Sequence, residues 1–532
     1  MQDGALMIGL VDAQGRPIST ARFVPGPSHD AGAFRDPISG WRGPQVYSRE
    51  GMARERRVMQ RRADDLAAND WAAGSAINAV SFNAVGTGLV PKAAIPADML
   101  GIDKAEAARV GKEMEWAWSR WILEADVRGM CHFHDLQMLG LRAMLTQGEM
   151  LHLAVMRDER ERQSLGNLFS LAVQTIRPQR LQTPADMVTD PAVRDGIRFS
   201  SFGRPEAYYV ANPDASALDA FASTESLTSD DFSCIPARRA HRRLVFHLFR
   251  HEREEQIRGV SCFASGITLF RNLSDTLNYE LFAQLMASSF PVFVATEAGQ
   301  MPLNPHESDE EQGERYHRIE PGRLYYGELN QKPYPLESKR PSSNFASFVE
   351  IILRAMAASQ GIPYETLTKD YSKTNYSSMR AALNEAWKLY GYYRQWYGRS
   401  YCQPLWEMLV EEAWLRGYVT LPKNGPDFYD ARELWCNASW VGPARGFVDP
   451  VKEIQAVILA LQNHLMTYGE AWAERGGDFD EGMETMMAEL PLLNRLSGGQ
   501  SAGARPDNAG FNGSDDSEAA DASNERGEND DV

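Results

Sequence analysis

The chain has 532 residues, enough for two to four domains, and its 43% hydrophobic and 24% charged residues are typical of a soluble globular protein. No apolar run approaches the ~20 residues of a membrane span, and the first residues lack the pattern of a secretion leader. Five scattered cysteines without zinc-ligand spacing predict reduced thiols in a cytoplasmic setting, and the net charge of −17 argues against a tight, general nucleic-acid binder.

The N-terminal region predicts an arm. Residues 1–50 are rich in Gly, Pro and Ser and have few periodic apolar positions, so we expect an extended segment. Five arginines then fall between Arg54 and Arg62. A charge run of this kind is typical of a solvated helix face, and the alternative is a basic strip that faces another subunit or DNA. We therefore assign residues 1–60 to an extended, basic arm.

Residues 61–270 predict a mixed α+β domain. Apolar residues at three- and four-residue spacing predict helices over 64–82, 104–123 and 135–147. Gly86 and Gly88 end the first of these helices in a turn. The run 152–156 predicts a strand, and from 168 to 260 strand-like runs alternate with Pro and Gly breaks. Alternation of this kind favours an α+β fold.

Two amphipathic helices flank a β-rich segment. Four leucines recur at every fourth residue and predict a helix over 272–290: Leu273, Leu277, Leu281 and Leu285. Apolar residues at alternating three- and four-residue spacing predict a second helix that ends before Gly361: Phe345, Phe348, Val349, Ile352 and Met356. The proline-rich residues 291–343 between them carry short strand patterns. A helix, a small β excursion and a returning helix together indicate a stalk with a tip.

The C-terminal third predicts long helices and then an acidic tail. Residues 376–416 form one long helix or two end to end, with Asn375 as N-cap, and their dense aromatics are typical of a core or a subunit interface. Residues 450–494 predict two further helices separated at Gly476. Residues 497–532 hold nine acidic residues and two arginines, a net charge of −7, and almost no apolar residues. We expect this tail to be disordered, protease-sensitive and dispensable for assembly.

The sequence contains no recognisable catalytic or metal-binding set. The segment from Gly86 to Lys92 lacks the spacing of a phosphate-binding loop, and Ser261 lacks the second glycine of a nucleophile elbow. The cluster Cys131–Asp135 is interpreted as a turn entering a helix with Asp135 as its cap, and His247 and His251 lack the glutamate of a zinc-protease helix. Two pairs of adjacent acids are expected to be solvated: Asp64–Asp65 and Glu411–Glu412. We therefore expect no enzyme, no metal and no cofactor.

Ordered motifs along the chain carry a resemblance to a known family. The first group comprises Arg61 to Gly74, Gly86 and Gly88, and Trp116 to Trp118 followed by Gln147-Gly148-Glu149. Later motifs include Arg258-Gly259, Lys369-Asp370, and the run Asn375, Tyr376, Ser377, Ser378 and Arg380. In this order they resemble the lambda-like family of phage portal proteins, over roughly residues 30–495. The acidic tail has no counterpart in the family pattern.

The resemblance implies a subunit of a ring of about twelve, with a defined use for each segment. Its architecture implies a wing (61–270 and 376–449), a stem (271–290 and 344–360), a clip (291–343), a tunnel loop (361–375) and a helical crown (450–496). Such rings sit at one capsid vertex of the virion, are assembled in the host cytoplasm, and pass double-stranded DNA during packaging and ejection. The implied partners are the terminase large subunit, a head–tail connector, and the major capsid or scaffold protein, with no membrane.

Site residues follow from the same assignment. Six residues are expected to pack the stem: Leu277, Leu281, Leu285, Phe345, Phe348 and Ile352. Lys369 and Lys373 are expected to face DNA from the tunnel loop, or else to be surface lysines at a turn. The alternatives for the whole chain are another ring-forming minor capsid protein and, with less support, an acidic soluble hydrolase with a carboxylate pair.

Overall fold

The computed structural model describes residues 49–213, 227–288, 292–296, 331–335, 344–373, 375–444, 446, 450–477 and 479–496. The predicted arm before residue 49, most of the predicted clip and the acidic tail lie outside these residues.

Helices dominate the described residues. In the first half they are α1 (Arg49–Asn69), α2 (Trp71–Ala84), α3 (Ala97–Leu100), α4 (Lys104–Trp121), α5 (Phe133–Gln147), α6 (Glu159–Leu165) and α7 (Ile267–Ser288). In the second half they are α8 (Phe345–Gln360), α9 (Tyr364–Thr368), α10 (Tyr376–Tyr397), α11 (Gln403–Leu415), α12 (Arg432–Trp435), α13 (Pro450–Gln462), α14 (Tyr468–Glu474) and α15 (Phe479–Leu496).

Short antiparallel strands complete the mixed α+β fold. They are β1 (Val90–Ala93), β2 (Glu149–Met156), β3 (Leu171–Ile176), β4 (Val193–Arg194), β5 (Ile197–Phe199), β6 (Pro205–Ala211), β7 (Phe232–Pro236), β8 (Arg238–Arg239), β9 (Arg242–Arg243), β10 (Val245–Phe249), β11 (Val292–Thr296), β12 (Gln331–Pro335) and β13 (Ala438–Val441). One sheet has the order β10-β2-β3 and a second has the order β4-β5-β6-β7. The pairs β1–β13, β8–β9 and β11–β12 stand apart. The prediction of an α+β fold is confirmed.

The prediction of one continuous helix over 64–82 is wrong, because the helix is interrupted at Asp70. The Asp70 side chain accepts a hydrogen bond from the Ala73 backbone at 2.8 Å and caps α2, so α1 and α2 are separate helices. The other Asp70 oxygen accepts a hydrogen bond from the Ser274 hydroxyl at 2.7 Å. The same carboxylate therefore caps α2 and attaches α7 to it.

Helices α7 and α8 leave the main core side by side. Leu273 on α7 and Met356 on α8 are buried in that core, whereas Leu281 and Phe348, farther from it, are exposed. The two helices pack against each other. Within residues 361–375, the first half is not a simple loop, because α9 packs on α2 and the Ser75 hydroxyl donates a hydrogen bond to the Leu367 carbonyl at 2.6 Å.

Of the two arrangements predicted for residues 376–416, the structure has two helices joined end to end. Asn375 is the N-cap of α10 and its side chain accepts a hydrogen bond from the Ser378 backbone N–H at 2.8 Å. A π-helical turn at Gly398–Cys402 leads from α10 into α11. Tyr397, Tyr401 and Trp406 are fully buried. These aromatics fill the core of the chain, which is one of the two uses that their density indicated.

The prediction of two helices over 450–494 is wrong, because the structure has three. Thr467 and Glu470 form a capping box that begins α14 as a separate element between α13 and α15. Helix α15 contacts the body through an ion pair between Glu484 and Lys112 of α4.

Candidate functional site

A buried ion pair joins two of the motifs noted in the sequence. The Arg258 guanidinium donates from Nε and Nη2 to the two oxygens of Glu149, at 2.7 and 2.5 Å, and both side chains are almost completely buried. The remaining Arg258 hydrogen bonds go to the backbone carbonyls of Leu181, Asp195 and Pro178. Arg258 thus holds the start of β2 against the turn at Pro178–Leu181 and the β4–β5 turn of the second sheet.

Glu149 accepts hydrogen bonds from three further groups. His247 Nε2 lies 2.9 Å from the carboxylate, and the Gln60 amide and the Gly259 backbone N–H each donate at 3.2 Å. Burial alone would raise the pKa of Glu149, but the charge and hydrogen bonds of Arg258, together with His247, hold it well below its usual value. The carboxylate is therefore ionised and fully hydrogen-bonded, which is the arrangement of a structural ion pair.

Two glycines beside this ion pair allow a very close backbone approach. A Cβ on Gly259 would lie 1.9 Å from the Gly148 carbonyl oxygen, and a Cβ on Gly148 would lie 2.4 Å from the Val260 backbone. Gly88 is equally restricted, since its φ is +115° and a Cβ there would overlap the His134 ring at 2.1 Å. A Cβ on Gly86 would lie 2.8 Å from the Phe82 carbonyl oxygen and 2.9 Å from the Pro443 ring. The glycines of the motifs are thus packing requirements.

The prediction that Glu411 and Glu412 are solvated is wrong. Both are buried, because α11 is covered on more than one side. Glu412 accepts from the Ser170 and Leu171 backbone N–H groups at 2.6 and 3.0 Å. Burial would raise the pKa of Glu411, but hydrogen bonds from Arg242, His241 and Tyr429 outweigh it and lower the pKa to about 2. These contacts are structural and contain no nucleophile.

The other acidic pair and the histidine cluster are also accounted for by structure. Asp64 is half-buried and accepts from Gln147 and Gln179, so the solvated prediction is wrong for it, whereas Asp65 is exposed. The cluster is a helix entry, as interpreted, but the N-cap of α5 is His132, and Asp135 completes the capping box from the third helical position. In the residues with described positions, no group of three or more His, Cys, Asp or Glu side chains could hold a metal ion.

The six predicted stem residues divide into two sets. Leu281 and Leu285 on α7 and Phe348 on α8 are exposed in the single subunit, at 57%, 58% and 51%. Leu277 and Ile352 are half-buried against the main core of the same chain, and Phe345 is half-buried. Tyr279, Phe282 and Ile351 add to the exposed apolar surface of this helix pair.

The predicted DNA-facing lysines lie just after α9. Lys369 is exposed and ends α9 with a left-handed φ of 60°, while Lys373 is 73% exposed and lies 3.2 Å from Glu350 of α8. Asp370 accepts from the Ser372 backbone and hydroxyl at 3.0 and 2.6 Å, which fixes the turn between them. Ser377, Ser378 and Arg380 are exposed in the first turn or two of α10, directly after this turn. The side chain of Tyr376 lies outside the described residues.

A family model for phage portal proteins of the lambda family matches residues 35–394, about two thirds of the chain. The chain belongs to that family. The resemblance carried by the ordered motifs is therefore confirmed, and so is the expectation that the chain is not an enzyme, because this family consists of structural proteins.

Individual portal proteins of three phages are similar to this chain. Portal protein B of Escherichia phage lambda is 25% identical over 406 residues, covering 72% of this chain and 74% of its own. The portal protein of Escherichia phage N15 is 25% identical over 407 residues, with the same coverage. The probable portal protein of Halomonas phage phiHAP-1 is 24% identical over 378 residues, covering 70% of this chain and 68% of its own.

Solved structures of gene transfer agent (GTA) particles contain chains of distantly similar fold. A chain from the virion of the native GTA particle is 13% identical with a TM-score of 0.40, covering 80% of this portal-family chain and 93% of its own. A chain from the neck of the empty GTA particle, computed with C6 symmetry, is 12% identical with a TM-score of 0.41, covering 78% and 93%. Among the described helices of this chain, none combines the length and apolar composition needed to cross a bilayer.

Two features of this portal-family chain were missed in the sequence. Glu149 and Arg258 belong to two of the family motifs, Gln147-Gly148-Glu149 and Arg258-Gly259, but their pairing across 109 residues was not predicted. The run Arg238–Arg243 contains five basic residues in six and was passed over, although such density is visible without a structure.

The buried side chain of His152 should make the protein less stable in acid. Burial lowers the pKa of His152 to about 3, and its Nδ1 lies 2.8 Å from the Tyr401 hydroxyl. The pKa of histidine in the unfolded chain is about 6.5. The contribution of neutral His152 to the free energy of unfolding is therefore fully present above about pH 6.5 and is lost as the pH decreases towards 3. Over that window His152 should contribute a slope of up to about 1.4 kcal/mol per pH unit. Denaturant titrations between pH 4.5 and 7.5 should show a smaller slope in His152→Gln; equal slopes would contradict this assignment.

Proposed function

We propose that the chain forms a ring of about twelve copies at one capsid vertex, through which double-stranded DNA enters during packaging and leaves during ejection. The observation that carries the proposal is the exposed apolar surface of α7 and α8. Phe282 and Ile351 are 62% and 64% exposed on helices whose other ends are buried in the core. Apolar surface of this extent on adjacent helices favours burial against another protein, and in a ring that protein is the next copy.

The segments take the uses that the family resemblance implies. Helices α7 and α8 form the stem, residues 291–343 the clip, and α13 to α15 the crown, with the two sheets and α10–α11 in the wing. The clip is proposed as the docking site of the terminase large subunit. The head–tail connector and the major capsid or scaffold protein are the other proposed partners. Assembly in the host cytoplasm and a place in the virion vertex complete the proposal.

Ring formation should depend on the exposed faces of the stem helices. Replacing Phe348 or Ile351 with aspartate should leave folded subunits that do not close into rings. Burial of each such side chain is worth roughly 1.5–3 kcal/mol, and a closed ring repeats the loss at every interface. Ile352 is unsuitable for this test because it packs against the core of its own subunit.

Native mass spectrometry and electron microscopy measure this result. The matched control is Phe202→Asp, which places the same charge at a side chain that is 98% exposed on the loop before β6. Rings of normal yield from Phe348→Asp and Ile351→Asp would contradict the stem assignment. Loss of rings in the Phe202 control as well would show that the added charge alone prevents assembly.

The loop after α9 is proposed to contact DNA at the ring axis. Lys369 and Lys373 are positioned by α9 and by the N-cap of α10, and copies from every subunit would form two basic rings. Phosphate contacts by lysine are blind to sequence and weaken as salt increases. Since Lys373 lies beside Glu350, part of its charge is already compensated, and we expect Lys369 to contribute more.

Alanine substitution tests this contact. Lys369→Ala should reduce packaged DNA length or retention more than Lys373→Ala does, the double variant should be worst, and the defect should change with salt concentration. Rings should form normally in all three. Lys423→Ala, at an exposed lysine in the wing, is the control. If packaging and retention are unchanged at every salt concentration, both lysines are ordinary surface residues and do not contact DNA.

A further inference from the structure

The hairpin β8–β9 concentrates positive charge on the wing. Arg238 and Arg239 of β8 pair with Arg243 and Arg242 of β9, and His241 lies in the connecting turn. Ala240 adopts a left-handed φ of 54° in that turn. Five of six consecutive residues are therefore basic, in a hairpin too short to fold without anchoring contacts.

The β9 strand supplies the anchor. Arg242 donates to Glu411 from Nε and Nη2 at 3.1 and 2.8 Å, and His241 Nε2 lies 3.0 Å from the same carboxylate. The Arg243 guanidinium lies over the Phe246 ring, 5.3 Å from its centroid, and Nε donates to the Val245 carbonyl at 3.0 Å. These contacts fix the hairpin to α11 and β10.

The β8 strand presents its charge outward. Arg238 and Arg239 are both exposed, and neither makes a side-chain hydrogen bond or ion pair with the residues whose positions are described. Burial lowers the pKa of Arg243, Tyr208 raises it in part, and the nearby charge of Arg238 lowers it, as expected where several arginines lie close together. An anionic partner would relieve this repulsion.

The C-terminal segment of the same chain has the complementary charge. Residues 497–532 contain nine acidic residues and two arginines, a net charge of −7 within a total of −17. The segment begins after α15, which contacts α4 through Glu484 and Lys112; α4 packs against α11, and α11 carries the Glu411 that holds Arg242. Thirty-six residues can extend to about 120 Å, so reach is not limiting.

We propose that the outer face of the β8–β9 hairpin docks the acidic segment 497–532, from the same subunit or from a neighbouring copy. A tethered segment has an effective concentration in the millimolar range, so two arginines are sufficient for weak, salt-sensitive occupancy. Duplex DNA is a poorer candidate, because its affinity grows only in proportion to the phosphates neutralised and it is not tethered to the hairpin. The proposal does not depend on ring assembly.

Cross-linking of the full chain identifies the occupant. In the variant Arg238→Lys/Arg239→Lys the charge is kept, and a carbodiimide can join the new amines to carboxylates in direct contact. Mass spectrometry should then map cross-links from positions 238 and 239 to acidic residues between 507 and 531. The control Arg204→Lys, at an exposed arginine before β6, should give few such links. Links that lead only to carboxylates of the folded body, or equal links from the control, would overturn the proposal.

Charge reversal gives a second, independent readout. In Arg238→Glu/Arg239→Glu, a glutamate-specific protease should cleave after Glu518 about threefold faster than in the unmodified chain at low salt, and the difference should disappear at high salt. Arg204→Glu should cleave at the unmodified rate. Identical cleavage rates in all three chains would overturn the proposal. Unchanged cleavage combined with weaker binding of a duplex oligonucleotide would likewise overturn it, in favour of a DNA site.

Discussion

Replacing Arg258 with leucine is expected to lower the free energy of unfolding of the unassembled subunit by about 3–5 kcal/mol, because it leaves the Glu149 carboxylate buried without its cation. In the unmodified subunit burial lowers the pKa of His247, so the Arg258 guanidinium is the cation that Glu149 faces. Three backbone carbonyls would lose their hydrogen-bond donor as well. Denaturant titration of the unassembled chain measures the loss.

Two further variants separate the ion pair from the loss of side-chain volume. Arg204→Leu, at an exposed arginine, should change stability by no more than about 0.5 kcal/mol. The double variant Glu149→Met/Arg258→Leu should recover part of the loss, because it removes the orphaned charge together with its partner. A loss in Arg258→Leu no greater than that in Arg204→Leu would show that the buried pair does not stabilise the fold.

The second large effect is expected at Gly259. A methyl group there would lie 1.9 Å from the Gly148 carbonyl oxygen and 2.7 Å from Phe249 Cβ, and backbone atoms cannot move aside as a flexible side chain can. Gly259→Ala should therefore destabilise the chain by at least about 3 kcal/mol, in the range of severe core substitutions. Thermal or denaturant unfolding, or a failure to recover soluble subunits, measures this loss.

Gly391 provides a control at which the same substitution should change the stability in the opposite direction. It lies inside α10, where a Cβ would meet nothing within 4 Å, so Gly391→Ala should stabilise the helix by about 0.5–1 kcal/mol. The two substitutions add the same methyl group, at a crowded position in one case and at an open helical position in the other. If Gly259→Ala were as stable as Gly391→Ala, the close approach of residues 148 and 259 would not exist in solution.

Helices with a local pattern were predicted well from the sequence. The predicted ranges 104–123, 135–147 and 272–290 correspond to Lys104–Trp121, Phe133–Gln147 and Ile267–Ser288, because amphipathic spacing is a property of neighbouring residues. The errors also have local causes. Asp70 and the pair Thr467–Glu470 are helix-capping residues inside otherwise continuous periodic segments, and each begins a new helix.

The contacts that organise the site could not be predicted, because they join distant parts of the chain. Glu149 meets Arg258 across 109 residues, and Glu411 meets Arg242 across 169. Nothing in the sequence near Glu411 distinguishes it from a solvated acid on a helix, and only the position of α11 inside the subunit buries it. The ordered motifs indicated the family, but the reason for their glycines and charges emerged only from the packing.

The way α7 and α8, the proposed stem, leave the core has a mechanical consequence. Helices α7 and α8 are embedded in the core at Leu273 and Met356 and extend from it like a beam clamped at one end, with the Ser274–Asp70 hydrogen bond at the clamp. A sideways load on the far end would produce its greatest bending moment near that clamp, where the cap of α2 lies. Adjacent copies in a ring would brace each beam along its length, so that the assembly gains a stiffness that the isolated subunit lacks.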